Sequence, residues 1–202
     1  MSPEDRRRAQ DAPIVPPAPG SVADLFAAAL PDVEFVASQG LIDVILFVDR
    51  KDVHRVLERA KHDPKLGFEF LRNLTGMDYE EQGLEVVYHL YSFANKHNVT
   101  IRCKVPAADP VIASASDIWR AADWHEREAR DMFGIVFEGH PNLVPLLLPD
   151  DMLDHFPLRK DNPLAPLEEW QGEMLGSAMG DAGHIPPGSG FEVEAAAAAE
   201  EA

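Results

Sequence analysis

Leu84-Glu85-Val86-Val87-Tyr88-His89-Leu90-Tyr91-Ser92-Phe93 and, a short polar connection later, Val99-Thr100-Ile101-Arg102-Cys103-Lys104-Val105 decide the fold. In the second run Val99, Ile101 and Cys103 alternate with Thr100, Arg102 and Lys104, so one face is apolar and the other wet. Two such runs so close together read as a β-hairpin. A hairpin with one apolar face needs a second layer to bury it.

Upstream, Val33–Ala37 and Ile42–Val48 read as two strands around Ser38-Gln39-Gly40, with Ile42, Val44, Leu46 and Val48 on one face. Val53, Val56, Leu57 and Ala60 have helical spacing, which predicts a surface helix over Asp52–His62. Asp63-Pro64 suits a cap followed by proline at the first helical position, opening another short helix through Leu74. Ser21-Val22-Ala23-Asp24 matches a capping box ahead of Leu25, Phe26, Ala29 and Leu30, and Pro31 stops that helix. Downstream, Ser116 or Ser114 is expected to cap a helix running to about Phe133, closed by Gly134 as a left-handed cap. The expected fold is therefore α+β: a two-layer domain of antiparallel hairpins covered by helices over 21–135. A flexible, Pro-rich leader (1–20) precedes it. An extended irregular docking arm (136–170) and an acidic, disordered tail (171–202) follow.

That arm changes character after Gly134. Ile135–Leu167 has six prolines and apolar pieces such as Leu143–Leu148, with little periodicity. A segment this apolar is expected to lie on a surface, its own or a partner's.

Charge and cysteine content exclude several classes. The formal net charge is −17, and Asp161–Ala202 carries nine acids and no Lys or Arg. Such a field repels nucleic-acid phosphate and a bare acidic membrane surface alike. Membrane contact is then expected only through another protein. No apolar run approaches the roughly 20 residues needed to cross a bilayer. Met1–Gln10 is polar and basic, unlike a secretory signal. The one cysteine, Cys103, rules out an internal disulfide and argues against an iron–sulfur cluster.

The densest polar stretch is Trp124-His125-Glu126-Arg127-Glu128-Ala129-Arg130-Asp131-Met132-Phe133-Gly134. On a helix, Glu126 with Arg130 and Arg127 with Asp131 are four apart and expected to pair. Trp119, Ala122, Ala129 and Phe133 make an apolar stripe on which Glu126 also falls. A carboxylate there must be paired or hydrogen-bonded. One reading is an ion-pair helix sealing an interface; the other is acid–base catalysis by Glu126 with His125. No nucleophile, GxGxxG or Walker pattern accompanies them, which favours the first. His125, His140, His155 and Glu128 lack metal-ligand spacing, and no catalytic, cofactor or metal residue is expected.

Glu126-Arg127-Glu128-x-x-Asp131-Met132-Phe133, with Trp124 before, Arg130 within, Gly134-Ile135 after and Gly139-His140-Pro141-Asn142-Leu143 beyond, resembles the signature of the 30 kDa subunit family of NADH–quinone oxidoreductase, respiratory complex I. Pro157-Leu158-Arg159-Lys160-Asp161 is similar to the family's closing motif, and Leu74–Tyr79 also resembles family sequence. Val144, the Asp154-His155-Phe156-Pro157 approach and Asn162 depart from the family pattern. The resemblance implies a redox-inert peripheral-arm subunit on the cytoplasmic face of the cell membrane. It implies no cofactor on this chain, the FMN, iron–sulfur clusters and quinone being held by other subunits. Expected partners are chiefly subunits D and B and neighbouring peripheral-arm subunits, with these motifs as interface residues. Related membrane-bound hydrogenases or F420-type dehydrogenases use a similar subunit. A free-standing enzyme built on Glu126 and His125 is the reading from another class.

Overall fold

The computed structural model describes residues 14–149, 152 and 155–162. The leader before Ile14, the arm from Pro163 and the acidic tail lie outside the described residues. In chain order the elements are α1 (Val22–Ala29), β1 (Phe35–Gln39), β2 (Val44–Val48), α2 (Val53–His62), β3 (Phe70–Asp78), a 3-10 turn (Glu80–Gln82), β4 (Leu84–Ser92), β5 (His97–Val105), β6 (Val111–Ala113), α3 (Ala122–Phe133) and β7 (Val136–Glu138).

The decisive hairpin forms as its alternation requires. β4 and β5 pair antiparallel from Leu84 opposite Val105 to Ser92 opposite His97. The sheet order is β1-β2-β5-β4-β3. Its antiparallel hairpins are joined by one parallel pair, β2 with β5. That pairing needs a crossover, and α2, β3 and β4 supply it. Leu46, Ile101, Tyr88 and Leu74 stand in register across four strands, all buried. Phe26 of α1, Val53, Val56, Leu57 and Ala60 of α2, and Ala122, Ala129 and Phe133 of α3 complete the same core. The fold is the expected α+β arrangement of sheet and covering helices.

Several elements differ from their sequence reading. No helix follows Asp63-Pro64. Leu66 and Gly67 donate backbone N–H groups back to the Asp63 carbonyl, Gly67 takes φ +56°, and the chain enters β3. The register slips between Leu71 and Asn73, so Arg72 is an extra residue in a β-bulge. Leu71 and Leu74 therefore both reach the core three residues apart, imitating helical spacing. The first hairpin also turns later than expected. Gly40 N–H bonds Asp43 O at 2.8 Å, Ser38 and Gln39 belong to β1, and Ile42 is 85% exposed. Asp24 does reach back at the start of α1, but to Gly20 N–H at 2.6 Å, while Ser21 makes no side-chain cap. Val15 lies along β1, accepting from Gln39 N–H at 2.6 Å, so the end of the leader shields one edge of the sheet.

The third helix starts at Ala122, not near Ser116, because residues 115–121 form turns, while Ser114 Oγ bonds Glu126 and Ser116 Oγ bonds Ser114. The small parallel pair of β6 with β7 carries the core beyond 135, since Ile112 and Phe137 are buried between the layers. Gly134 takes φ +71° and ends α3, as its position predicted.

Helix α3 crosses β3 at a glycine. A Cβ on Gly76 would lie 2.5 Å from the Phe133 ring and 3.1 Å from Ile135. Gly76→Ala should therefore destabilise the chain by about 1–3 kcal/mol, the usual cost of overpacking. Urea unfolding at neutral pH measures it, and an unchanged midpoint would show that the helix is not tightly seated.

Candidate docking site on helix α3

Ala122, Glu126, Ala129 and Phe133 are spaced four, three and four apart, so all four lie on the buried face of α3. Glu126 is 0% exposed. Its carboxylate is bonded by Ser114 Oγ–H and by Ala115 N–H, both at 2.6 Å. Ser114 Oγ in turn lies 2.7 Å from Ser116 Oγ and accepts from Ser116 N–H at 3.1 Å. The carboxylate thus staples the turn after β6 onto α3. Burial pushes its pKa up to about 7 against the lowering effect of those two bonds, with Asp117 and Asp123 adding to the rise.

The imidazole beside it is that of His140, not His125. His140 Nε2 stands 4.0 Å from Glu126 Oε2. It donates to Asp123 O at 3.1 Å, while Nδ1 accepts from Asn142 N–H at 3.0 Å. These two bonds orient the ring and hold the start of the arm against the first turn of α3.

Asp131 and Arg127 grip the next segment. Asp131 Oδ2 accepts from three consecutive N–H groups, Leu146 at 2.7 Å, Leu147 at 2.8 Å and Leu148 at 3.3 Å. Its other oxygen takes Arg130 Nη1 at 3.1 Å. Burial alone would raise this carboxyl. The amides of Leu147, Leu146 and Leu148, with Arg130, outweigh it and hold the group below the ordinary carboxylate range. Arg127 donates from Nε to Val144 O and from Nη2 to Pro145 O, each at 3.0 Å. The expected i,i+4 pairs of Glu126 with Arg130 and Arg127 with Asp131 do not form. Arg127 and Asp131 are instead engaged by backbone carbonyls and amides of the arm, Glu126 by Ser114 and Ala115, and Arg130 by Asp131.

The closing motif holds the far end. Leu158 N–H bonds Met132 O at 3.2 Å, and Arg159 Nε donates to Phe133 O at 2.6 Å. Phe156 lies under the Arg159 guanidinium, 4.7 Å from ring centroid to Cζ, and its ring fills the space beside Gly134. Lys160 N–H reaches Asp78 Oδ2 at 2.8 Å. The last carbonyls of α3 are thereby capped by the arm. Trp124, Glu128, Pro141, Lys160 and Asp161 stay exposed, and Pro157 and Leu158 lie at the surface of the same seam. His125, His140, His155 and Glu128 are not gathered, and among the described residues no group of three or more metal-ligating side chains occurs.

Ser114, Asp123, Asp78 and Phe156 are the partners that sequence reasoning missed. Ser114 is visible in the sequence as a polar residue near the helix start, but as a cap rather than as the donor to Glu126. Cys103 is buried on the inner face of β5 and its thiol is pushed up to about 12, mainly by burial, so it acts as a small apolar residue.

The geometry is that of a clamp between a helix and an arm. Residues 46–168 match the family model described as respiratory-chain NADH dehydrogenase, 30 Kd subunit. The chain is 45% identical over 139 residues to the NADH-quinone oxidoreductase C subunit of Roseiflexus castenholzii, covering 68% of this chain and 79% of that relative. A solved trypsin-resistant fragment (1-134) of Nqo5 aligns with TM-score 0.52 and 30% identity, over 60% of this chain and 96% of the fragment. The membrane-bound sulfane sulfur reductase, an archaeal respiratory membrane complex, aligns with TM-score 0.61 and 22% identity over 75% of this chain and 88% of that one, a likeness of fold alone. The chain belongs to the 30 kDa subunit family of respiratory-chain NADH dehydrogenase.

Proposed function

We propose that this chain is a redox-inert subunit of the peripheral arm of a proton-translocating NADH:quinone oxidoreductase. It packs beside subunits D and B, which form the quinone site, and supports assembly from the cytoplasmic face of the membrane. FMN, iron–sulfur clusters and quinone belong to the other subunits, and membrane attachment goes through them. The observation that carries this reading is the fate of the one dense cluster of titratable groups. Glu126 and Asp131 are sealed, and every oxygen they have is bonded by the chain's own serine, amides or arginine. Such groups shape a surface rather than meet a substrate. Among the described residues no helix is long and apolar enough to cross a membrane.

The test is to tag the chain in its host, extract membranes in mild detergent and identify what co-purifies. Subunits B and D with flavin-bearing NADH-binding partners support the proposal. Hydrogenase or other donor subunits would keep the scaffold role and change the reaction. A lone soluble chain would overturn it. A chain ending at Gly139 keeps β7 and the core, so it should fold yet fail to enter the complex. Its recovery in a fully active complex would sink the docking role.

A further inference from the structure

Trp124, Arg127 and Asp131 lie three and four apart along the side of α3 that carries the arm, and two of them are consumed in holding it. Trp124 is not: it is 60% exposed, and its one partner among the described residues is the Arg127 guanidinium, 5.2 Å from the ring. The indole N–H has no acceptor among the described residues. Arg127 meets two carbonyl oxygens and an aromatic face, and no carboxylate lies within ion-pair distance among the described residues. The arm segment that Arg127 holds adds two further exposed apolar side chains, Val144 at 43% and Leu147 at 58%.

A single exposed apolar residue needs no explanation, but this is a pre-ordered group. Two hydrogen bonds hold the guanidinium, and the guanidinium lies over the indole and favours that ring position, so part of the side-chain freedom lost on binding is already given up. Tryptophan and arginine are the residues that most often dominate interfaces. An unpaired cation beside an indole selects for an anion next to an apolar surface.

We propose that Trp124 and Arg127, flanked by Val144 and Leu147, anchor another subunit of the complex, which presents an apolar pocket for the indole rimmed by an Asp or Glu side chain that accepts from Arg127. The inference rests on the proposed role as a complex subunit and names the contact that role would use.

The experiment replaces the chromosomal copy with tagged full-length Trp124→Ala or Trp124→Phe and measures the recovery of companion subunits. Trp124→Ala should lower recovery at least tenfold, with the thermal midpoint of the isolated chain unchanged. Trp124→Phe should restore part of it by keeping the apolar ring. Wild-type recovery with Trp124→Ala overturns the anchor. If the Gly139 truncation fails to assemble in the same strain, the docking role survives that result. Should Trp124→Ala fold poorly, a photo-crosslinking phenylalanine analogue at position 124 of the assembled complex decides. A crosslink to a peptide of another subunit bearing an Asp or Glu supports the proposal. Crosslinks within this chain alone, or none, overturn it.

Discussion

Asp131→Ala will free the arm from the domain while leaving the sheet and its helices folded. One carboxylate oxygen gathers the amides of Leu146, Leu147 and Leu148, and the other holds Arg130. Hydrogen bonds to an ionised group contribute about 1.5–3 kcal/mol. Because the three amides share one oxygen and find water once the arm lifts, the expected total is roughly 3 kcal/mol rather than the full sum. The loss should concentrate in the arm. Limited proteolysis should cut between 140 and 149 at least tenfold faster, with little change in the far-ultraviolet spectrum. Asp131→Asn keeps one acceptor and loses the charge, so it should fall between. The pH dependence has a definite sign. The carboxyl is held below its ordinary value, so its stabilisation is complete above the unfolded carboxylate range, near pH 4, and is lost as pH falls through the folded value. Arm protection in the wild type should therefore fade on acidification, and in Asp131→Ala it should be low at neutral pH and lack that dependence on Asp131. Equal cleavage rates for the two proteins at neutral pH would show that Asp131 does not hold the arm. If the arm is what partners recognise, Asp131→Ala should also reduce complex recovery.

The β4–β5 hairpin is legible in the sequence because Val99, Ile101 and Cys103 alternate with polar residues close behind a second, more continuously apolar run, and α2 because Val53, Val56, Leu57 and Ala60 obey helical spacing. β3 is not legible, since a bulge at Arg72 places Leu71 and Leu74 on one face and breaks the period that identifies a strand. β6 and β7 are three residues each, too short for any periodicity to show, and they pair across a long stretch of sequence, Val111 with Val136. In the site, Glu126 stands out as a carboxylate on an apolar stripe, but sequence spacing names the wrong partner. Local spacing offers Arg130, whereas folding brings Ser114 and Ala115 from twelve and eleven residues away. Asp131 shows the sharper limit. Its partners are backbone amides of three leucines, and no side-chain pattern announces a backbone donor. The residues of the signature can be named from sequence; that Arg127 and Asp131 spend their bonds on the chain's own arm cannot.

Glu126→Gln will abolish most of the pH dependence of stability between mild acid and neutrality, and at pH 8 it will be more stable than the wild type. The folded carboxyl is raised to about 7 from an ordinary value of 4.5, chiefly by burial. Between those values the folded chain keeps a proton that the unfolded chain releases, so stability falls as pH rises through this window and levels off above it. At about 1.36 kcal/mol per unit, a rise of this size corresponds to roughly 3 kcal/mol. Glutamine carries no charge to bury. Its oxygen can accept from Ala115 N–H and its amide can donate to Ser114 Oγ, whose own proton can turn to Ser116 Oγ. Glu126→Ala, by contrast, leaves a buried hydroxyl and a buried amide without their acceptor and a cavity beside them. It should cost about 2–5 kcal/mol throughout. Urea unfolding at pH 5.5 and pH 8 separates the cases. Both proteins carry the same histidines, so the difference between wild type and Glu126→Gln reports the loss of the carboxyl, including its charge beside His140 Nε2 4.0 Å away. A wild-type slope retained in Glu126→Gln would place the titrating group elsewhere. The same pair of variants decides between clamp and catalyst. A general acid–base role requires the proton of Glu126 and fails with glutamine, whereas the staple between α3 and the 114–116 turn requires only its shape and hydrogen bonds. Complex assembly should therefore survive in Glu126→Gln and be lost in Glu126→Ala.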